Sequence, residues 1–414
     1  MSRKWVILAV MVLVIGLLAA CGGGQDEGIP GQARNDGYNE TRDDGYEDVR
    51  DDGYDDARNY GEYAAEPEEV DFDEAEADEI SASDVNEIVD PWAYVDFDNI
   101  RQPLHLAYYV PHGYIAVNHI EFINDNLYGR SPFTYREKEA AAWLVEELLA
   151  MGYNWDDIYV QEFYQGDVTQ WFGHTWDTPI GRWILGDGVT RYYSQNVILT
   201  VPGRSERKII VGAHYDSLPY PGASDNASGV GLLLESAQRM LNEDNYHTIV
   251  YIFFGAEEVG LIGAHVYVNS LSFRERERIA FMINADVLFE GPYKLYGTAR
   301  YVGGRRLTND ITRQVDEIAR GVYAAHGVEI IDIPGLVYVG SDHLPFKWAG
   351  HTVVVLCGLY RSPYGRGFIG DFMLQVWHSP RDDFHYINEN WPGKIDRNMR
   401  YFSIFLEEML LAQF

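Results

Sequence analysis

The sequence contains little cysteine and little positive charge. Only Cys21 and Cys357 occur among its 414 residues, which excludes the disulfide framework that holds small secreted domains together. Lysine and arginine together number 32 against 64 acidic residues, giving a formal net charge of −32. Because no basic patch interrupts this excess and a negative surface repels phosphate, we expect no nucleic-acid partner. The 46% of hydrophobic residues is nevertheless enough for a large core.

The long hydrophobic run of the chain lies at its start. Met-Ser-Arg-Lys precedes the apolar stretch Trp5–Leu18, and small residues lead to Cys21. A short basic region, an apolar run too short for a comfortable membrane span and small residues at the end are typical of an export signal. The stretch resembles a bacterial lipoprotein signal, in which Cys21 becomes the lipidated first residue. Residues 1–21 are therefore predicted to be a lipoprotein-type signal peptide, with an uncleaved anchor helix as the alternative. Either way we expect an exported protein of the bacterial cell envelope, held at the membrane surface.

Residues 22–91 form an acidic segment of low complexity. Copies of Arg-Asp-Asp-Gly-Tyr or a close variant begin at Arg34, Arg42 and Arg50, a period of eight. Residues 22–90 hold 25 acidic and 4 basic residues. Self-repulsion and the lack of aliphatic residues predict an extended tether without a packed core. A calcium site built from the repeats is an alternative, although the acidic residues lack the spacing of an EF-hand.

Residues 92–414 are predicted to form a single α/β domain. Continuous apolar runs such as Ile249–Phe254 are typical of strands buried on both faces. Short runs of this kind alternate with helical patterns, which predicts three layers with a mostly parallel, mixed central sheet flanked by helices. The predicted strands span 158–163, 196–201, 208–213, 248–254, 279–285 and 352–356, and the predicted helices span 120–126, 135–151, 226–241, 260–270, 307–326 and 395–411.

Reactive side chains stand where the predicted strands end. Ligands of parallel sheets collect beyond the carboxyl ends of the strands, so we expect these side chains to converge at one edge. They are His214, Asp216, Asp225, Glu257, Glu258, Asp286 and His378.

Imidazoles and carboxylates without thiolates suit Zn²⁺ or a similar divalent ion. Two such ions, roughly 3.5–4 Å apart and sharing one carboxylate, could clamp an attacking oxygen and polarise a carbonyl. Glu257 stands beside Glu258, and adjacent side chains at a strand end point in different directions. One of the pair can therefore bind metal while the other acts as general base. Asp216, two residues beyond His214, fits an acceptor that fixes the imidazole tautomer.

Six motifs spread over about residues 115–412 carry a resemblance. They are His214-x-Asp216-Ser217, Ser224-Asp225-Asn226-Ala-Ser-Gly229, Ala256-Glu257-Glu258-Val-Gly-Leu-Ile-Gly263, Asn284-Ala-Asp286, Ser341-Asp342-His343-Leu-Pro-Phe346 and Trp377-His378-Ser-Pro-x-Asp382. In this order they resemble the motifs of the co-catalytic di-zinc aminopeptidase family, which also contains glutamate carboxypeptidases and glutaminyl cyclases. The resemblance implies a zinc-exopeptidase-like fold and a cofactor of two zinc ions.

Carried over by position, the motifs imply a role for each residue. His214 and Asp286 would bind one zinc ion, Glu258 and His378 the other, and Asp225 would bridge them. Catalysis would involve Glu257 as the general base that deprotonates a metal-bridging water, Asp216 as the partner of His214, and His343 as an oxyanion donor. The family often has a cis peptide after its bridging aspartate, here Asp225–Asn226.

Two of these residues have an alternative role, His343 and Asp382. His343 could instead cap a helix that begins at Ser341. Asp382 could orient His378 or cap the following turn.

The resulting functional prediction is a zinc-dependent aminopeptidase that hydrolyses the N-terminal bonds of peptides or small proteins. A glutaminyl cyclase-like zinc acyltransferase is the alternative, because cyclases of the family keep the same ligands. The short spacing of Val259–Gly263 after Glu258 favours a peptidase, since cyclases tend to carry an insertion there. A non-catalytic binding ectodomain is less favoured, because no predicted ligand is missing. The sequence makes no prediction of oligomeric state.

Overall fold

The computed structural model describes residues 110–164, 193–289, 295–302, 305–307, 309–332, 337, 340–358 and 376–414. These all belong to one compact unit, Val89–Phe414. The predicted signal peptide and the predicted acidic tether lie outside the described residues. Within those residues, no helix has the length and apolar character needed to cross a bilayer.

Strands in the described part of the chain form a mixed sheet. They are β1 (Ile158–Tyr164), β2 (Tyr193–Val201), β3 (Ser205–His214), β4 (His247–Phe254), β5 (Ile279–Ala285), β6 (Leu295–Val302), β7 (Arg305–Leu307), β8 (Ile331–Asp332) and β9 (Val353–Cys357). The order across the sheet is β1-β2-β4-β3-β5-β9-β6-β7, and β8 pairs with β6. The central strands β4, β3, β5 and β9 are parallel neighbours. Antiparallel pairs flank them on both sides. The predicted mixed α/β sheet is confirmed, and its parallel pairs lie mainly at the centre.

Helices cover both faces of this sheet. They are α1 (Tyr114–Asn126), α2 (Tyr135–Met151), α3 (Ser228–Met240), α4 (Ile262–Ser270), α5 (Phe273–Arg278), α6 (Asp310–His326), α7 (His343–Trp348), α8 (Phe384–Asn390) and α9 (Lys394–Leu411). Ile209 and Val211 of β3 pack into a core shared with α1, α2, α3, α6 and α9. Ile210, between them, packs on the opposite face with α4 and α7. Alternate residues of one strand thus enter two cores, which confirms the three-layer prediction.

Two elements begin and end where the sequence predicts, namely α2 and β5. The start of α2 has a local signal, because the Thr134 hydroxyl accepts the backbone N–H of Glu137. Its end has another, since Gly152 adopts a left-handed conformation with φ 108°. Signals of this kind can be read from adjacent residues alone.

Other elements differ from the prediction. Strands β6, β7 and β8 and the short helices α5, α7 and α8 were not predicted. Strands of two or three residues, such as β7 and β8, and helices of six or seven residues carry too little periodicity. Helix α1 begins at Tyr114 rather than at residue 120. Its start depends on a partner distant in the sequence, because the carboxylate of Glu235 accepts the backbone N–H groups of Gly113 and Ala116, at 2.8 and 2.9 Å.

Glu235 is fully buried and joins three helices. Besides its bonds at the start of α1, its carboxylate accepts Arg239 Nε at 2.9 Å within α3 and the hydroxyl of Ser403 from α9. A buried carboxylate is tolerated here because all of these donors converge on it.

We expect Glu235→Gln to lower the free energy of unfolding by about 3 kcal/mol, because the amide has one acceptor oxygen and removes the negative charge that faces Arg239. Urea denaturation followed by circular dichroism measures this change. The matched control is Glu408→Gln on the exposed side of α9, which should change stability by no more than about 0.5 kcal/mol. Equal effects of the two substitutions would contradict the assignment.

Candidate metal centre

Predicted site residues lie at one edge of the parallel strands. His214 is the last residue of β3, Glu257 and Glu258 follow β4, and Asp286 follows β5 directly. Because β4, β3 and β5 are adjacent and parallel, their carboxyl ends lie side by side. The convergence predicted from the sequence therefore follows from the strand order.

Asp225 lies between the two predicted histidine ligands. It belongs to an irregular turn, Ala223–Ala227, and its peptide bond to Asn226 is cis. Its Oδ1 atom is 3.1 Å from Nε2 of His214, and its Oδ2 atom is 3.1 Å from Nε2 of His378. A carboxylate that faces a different imidazole with each oxygen has the geometry of a bridge between two cations.

The remaining carboxylates complete two groups. Asp286 Oδ1 lies 3.4 Å from His214 Nε2, and Glu258 Oε2 lies 3.3 Å from His378 Nε2. In each of two groups of three residues, the possible ligand atoms lie within 4.8 Å of one another. These groups are His214, Glu257 and Asp286, and Asp225, Glu258 and His378.

Asp216 orients His214 mainly through its backbone. The Nδ1 atom of His214 is 3.1 Å from the main-chain oxygen of Asp216 and 3.6 Å from its carboxylate. Because a carbonyl only accepts hydrogen bonds, this contact places the proton on Nδ1. Nε2 is then the ring nitrogen that faces the carboxylates of Asp225 and Asp286, and it is the atom that would bind a metal ion.

The carboxylate of Asp216 has a second contact that sequence reasoning did not predict. Its two oxygens accept the backbone N–H groups of Glu257 and Glu258, at 3.0 and 3.1 Å. Asp216 therefore ties the end of β3 to the turn after β4. This fixes the predicted base and the predicted ligand relative to His214.

His378 is the most accessible of the predicted ligands, with 33% of its side chain exposed. Its backbone is left-handed, with φ 50°. The imidazole stacks on the indole ring of Trp377, with the ring centroids 3.6 Å apart. This packing fixes the direction of the ring.

Asp382 supports the turn that carries Asp225. Its carboxylate oxygens accept the backbone N–H groups of Ser224 and Asp225, at 2.6 and 2.9 Å. Its main-chain oxygen accepts the N–H of Ala223 at 3.1 Å. The sequence left two other roles open for Asp382. This contact joins residues more than 150 positions apart, and no local pattern predicts it.

Glu137 is another supporting residue that sequence reasoning missed. It is fully buried in α2, and its Oε1 atom accepts the hydroxyl of Ser194 and the backbone N–H of Ala256, at 2.7 and 2.9 Å. Ala256 precedes Glu257 and is left-handed, with φ 54°. Glu137 thus holds the turn from which Glu257 extends. Its position three residues after Thr134 predicts only a role at the start of α2.

The titration of the site reflects its crowded carboxylates. Burial raises the pKa of Glu257 well above its usual value, and His214 only partly opposes this. Burial alone would lower the pKa of His378, but Glu258 and Asp225 raise it to about 10. Without a cation, the imidazoles must therefore carry protons to balance the carboxylates. Divalent ions would supply the same compensation.

The donor set fits a pair of zinc ions. Imidazole nitrogens and carboxylate oxygens are zinc ligands, and none of the residues in these groups is a thiolate. In addition, Asp286 Oδ1 is buried and makes no hydrogen bond of good geometry among the described residues, although His214 Nε2 lies 3.4 Å away. A buried carboxylate oxygen without a good hydrogen bond is costly, and a cation beside His214 would satisfy it.

His343 occupies a different position from the other predicted residues. It is fully buried at the first residue of α7, so this helix begins two residues later than the capping alternative expects. Among the described residues, it is not part of either group of possible metal ligands. Full burial does not favour contact with a substrate carbonyl, and the oxyanion role stays a prediction.

Comparison with known proteins bears on the family and the fold. The model of peptidase family M28 matches residues 196–403. Aminopeptidase YwaD of Bacillus subtilis (strain 168) is 34% identical over 166 residues, which cover 39% of this chain and 35% of that protein. The Mycobacterium tuberculosis protein named probable lipoprotein aminopeptidase LpqL is 42% identical over 100 residues. These residues cover 23% of this chain and 20% of the length of LpqL. The chain therefore spans about a third or less of the length of these relatives.

Solved structures share the fold at low sequence identity. The structure of BSAP, a zinc aminopeptidase from Bacillus subtilis, matches with a TM-score of 0.55 at 18% identity, covering 72% of this chain and 95% of that one. A glutaminyl cyclase from an Acidobacteriales bacterium matches with a TM-score of 0.53 at 19% identity, covering 72% and 93%. Because both kinds of enzyme match similarly, the fold alone does not choose between them.

Burial of His343 predicts a pH-dependent stability. Burial lowers its pKa from 6.5 to about 3. Between these values the unfolded chain binds a proton that the folded chain does not, so stability should decrease as the pH falls below about 6.5. His343→Gln should remove up to about 1.4 kcal/mol per pH unit from this dependence. Urea unfolding at pH 7, 6 and 5 measures it, with exposed His326→Gln as the control. Unchanged pH dependence in His343→Gln would contradict the argument.

Proposed function

The chain belongs to peptidase family M28, whose model matches half of its length, and on that premise we propose that it is a zinc-dependent aminopeptidase. The reaction is hydrolysis of the N-terminal bond of a peptide or small protein. The observation that carries the proposal is the position of Asp225, whose two oxygens each lie 3.1 Å from a different imidazole. The printed names of the two relatives, aminopeptidase YwaD and probable lipoprotein aminopeptidase LpqL, support it.

Each zinc ion would be held by one histidine and one terminal carboxylate. His214 and Asp286 would hold the first ion, His378 and Glu258 the second, and Asp225 would contact both. When bound, the ions supply Lewis-acid polarisation of the scissile carbonyl and a lower pKa for the attacking water.

Glu257 is the proposed proton carrier of the reaction. Its carboxylate lies within 4.8 Å of ligand atoms of His214 and Asp286, while its backbone is fixed by Asp216. It would take a proton from the attacking water and deliver it to the leaving amine, acting first as base and then as acid.

The site has an open side at His378 and a closed side at His214. The His378 side chain is partly exposed, whereas His214 is buried. A substrate would therefore approach from the side of His378.

We also infer that the protein is an exported lipoprotein anchored through Cys21. The basic, apolar and small residues of 1–21 support this, together with the word lipoprotein in the name of LpqL. The acidic residues 22–91 would then separate the enzyme from the membrane, because the negative charges of the repeats repel anionic lipids.

Glu257→Gln should lower kcat/KM for a chromogenic aminoacyl substrate by about 10²–10⁴-fold while both metal ions remain bound, because only the proton carrier is lost. Removal of metal with a strong chelator should abolish turnover, and added Zn²⁺ should restore it. Metal content by elemental analysis accompanies each assay. The control, exposed Glu277→Gln, should retain activity. Persistent turnover in the metal-free protein or in Glu257→Gln would reject this mechanism.

The same preparations distinguish peptidase from cyclase when a peptide beginning with glutamine is the substrate. A peptidase releases free glutamine and a peptide shortened by one residue. A cyclase releases ammonia and keeps the peptide length. Mass spectrometry separates these products, and the second result would replace the proposed activity by its alternative.

For the anchor, we expect Cys21→Ser to prevent incorporation of labelled fatty acid and to move the protein from the membrane fraction to the soluble fraction of a bacterial host, provided that export continues. Lipid attachment requires the Cys21 thiol. The control is Cys357→Ser, since Cys357 is buried in β9. Labelling that persists in Cys21→Ser would exclude the anchor.

A further inference from the structure

Arg130 is a buried cation beside the candidate metal centre. It lies between α1 and α2 and is 1% exposed. Its Nε atom donates to the main-chain oxygen of Tyr215 at 2.6 Å, and its Nη1 and Nη2 atoms donate to those of Pro221 and Gly222 at 2.8 and 3.2 Å. Nη1 also approaches the Leu127 oxygen at 3.4 Å.

These acceptors lie at the two ends of one loop. Tyr215 directly follows His214, and Gly222 directly precedes the turn Ala223–Ala227 that contains Asp225. The main-chain oxygen of Arg130 also accepts the N–H of Ser217 at 3.1 Å. A single planar guanidinium thus connects both ends of the loop that joins two predicted ligands.

The surroundings of Arg130 are unusual for a buried arginine. The described hydrogen bonds of its side chain all go to backbone oxygens rather than to a carboxylate partner. Burial lowers its pKa to about 10, while the charges of Asp216, Asp382, Asp225 and Glu258 oppose this decrease. It therefore stays charged at neutral pH and partly offsets the acidic cluster without touching it.

We propose that Arg130 is a positioning residue of the metal centre, which sets the separation of His214 and Asp225 by holding both ends of the loop between them. The proposal rests on the proposed metal site and not on the identity of the substrate. The planar guanidinium of arginine fits this role better than the flexible ammonium group of lysine, because the guanidinium N–H donors are fixed relative to each other.

A purely structural role makes a different prediction. An arginine that only fills the interior would stabilise the metal-free and the zinc-bound protein equally. A positioning residue would in addition increase the affinity for zinc, because an ordered loop brings the ligands into place before binding.

The test compares the full wild-type chain with Arg130→Met and Arg130→Lys. Arg239→Met is the matched control, because Arg239 is a buried arginine near the far end of α3, whose first residue is Ser228. Three properties are measured after removal of metal: the zinc dissociation constant by competition with a chelating dye, the visible spectrum of the Co²⁺ form, and the unfolding temperature with and without zinc.

We expect Arg130→Met to weaken zinc binding by about 10–100-fold, to alter the Co²⁺ spectrum and to reduce the increase in unfolding temperature that zinc produces. Arg130→Lys keeps the charge but lacks the planar fork, so its loss should be smaller than that of Arg130→Met and still measurable. Arg239→Met should lower the unfolding temperature equally with and without zinc.

Wild-type zinc affinity and Co²⁺ spectrum in both Arg130 variants would overturn the proposal, even if the variants are less stable. An unchanged zinc-induced increase in unfolding temperature would overturn it as well. A wild-type chain that binds no zinc would instead refute the metal site itself. A wild-type chain that binds zinc without cleaving peptides would refute only the proposed activity, since none of these measurements depends on turnover.

Discussion

The site depends on keeping several carboxylates close together in a place largely shielded from water. Asp225, Glu257, Glu258 and Asp286 surround two imidazoles. Two of these carboxylates, Glu258 and Asp225, raise the pKa of His378 to about 10 against the effect of burial. Like charges at this distance repel each other strongly when water is excluded. The arrangement is stable only if protons or cations neutralise it. The same repulsion therefore favours the binding of divalent cations to the cluster.

Backbone contacts hold the crowded groups in place. Asp216, Asp382 and Glu137 each direct a carboxylate at the N–H groups of a turn that carries a site residue. Arg130 contacts the backbone as a donor instead, since its guanidinium donates hydrogen bonds to carbonyl oxygens of the adjoining loop. Because these four side chains bind main-chain atoms, they fix the positions of the turns. The groups that the turns present remain free for a ligand.

Much of the fold and the candidate ligands could be predicted because their signals are local. The helix α2 shows its N-cap and its terminal glycine, and β5 is a continuous apolar run. Placing reactive residues at the ends of such strands was enough to anticipate that His214, Asp286 and Glu258 meet. The supporting residues could not be predicted in this way. Asp382 and Glu137 contact backbone more than 100 positions away, and Arg130 lies more than 80 positions from the carbonyls of Tyr215, Pro221 and Gly222.

There is a physical reason why the ligands could be predicted from the sequence and the supporting residues could not. A residue that faces a ligand must have a particular chemistry, so its type and its position at a strand end indicate its role. A residue that supports a turn needs only a donor or an acceptor at the right point in space, and helix α2 contains several glutamates that meet this description in sequence. Burial is what separates Glu137 from them, since a carboxylate removed from water must find donors of its own. The donor it finds at Ala256 belongs to the turn of the proposed base. Buried charges whose partners are backbone atoms of a site loop therefore mark the structural support of that site, and this is the criterion that singles out Arg130.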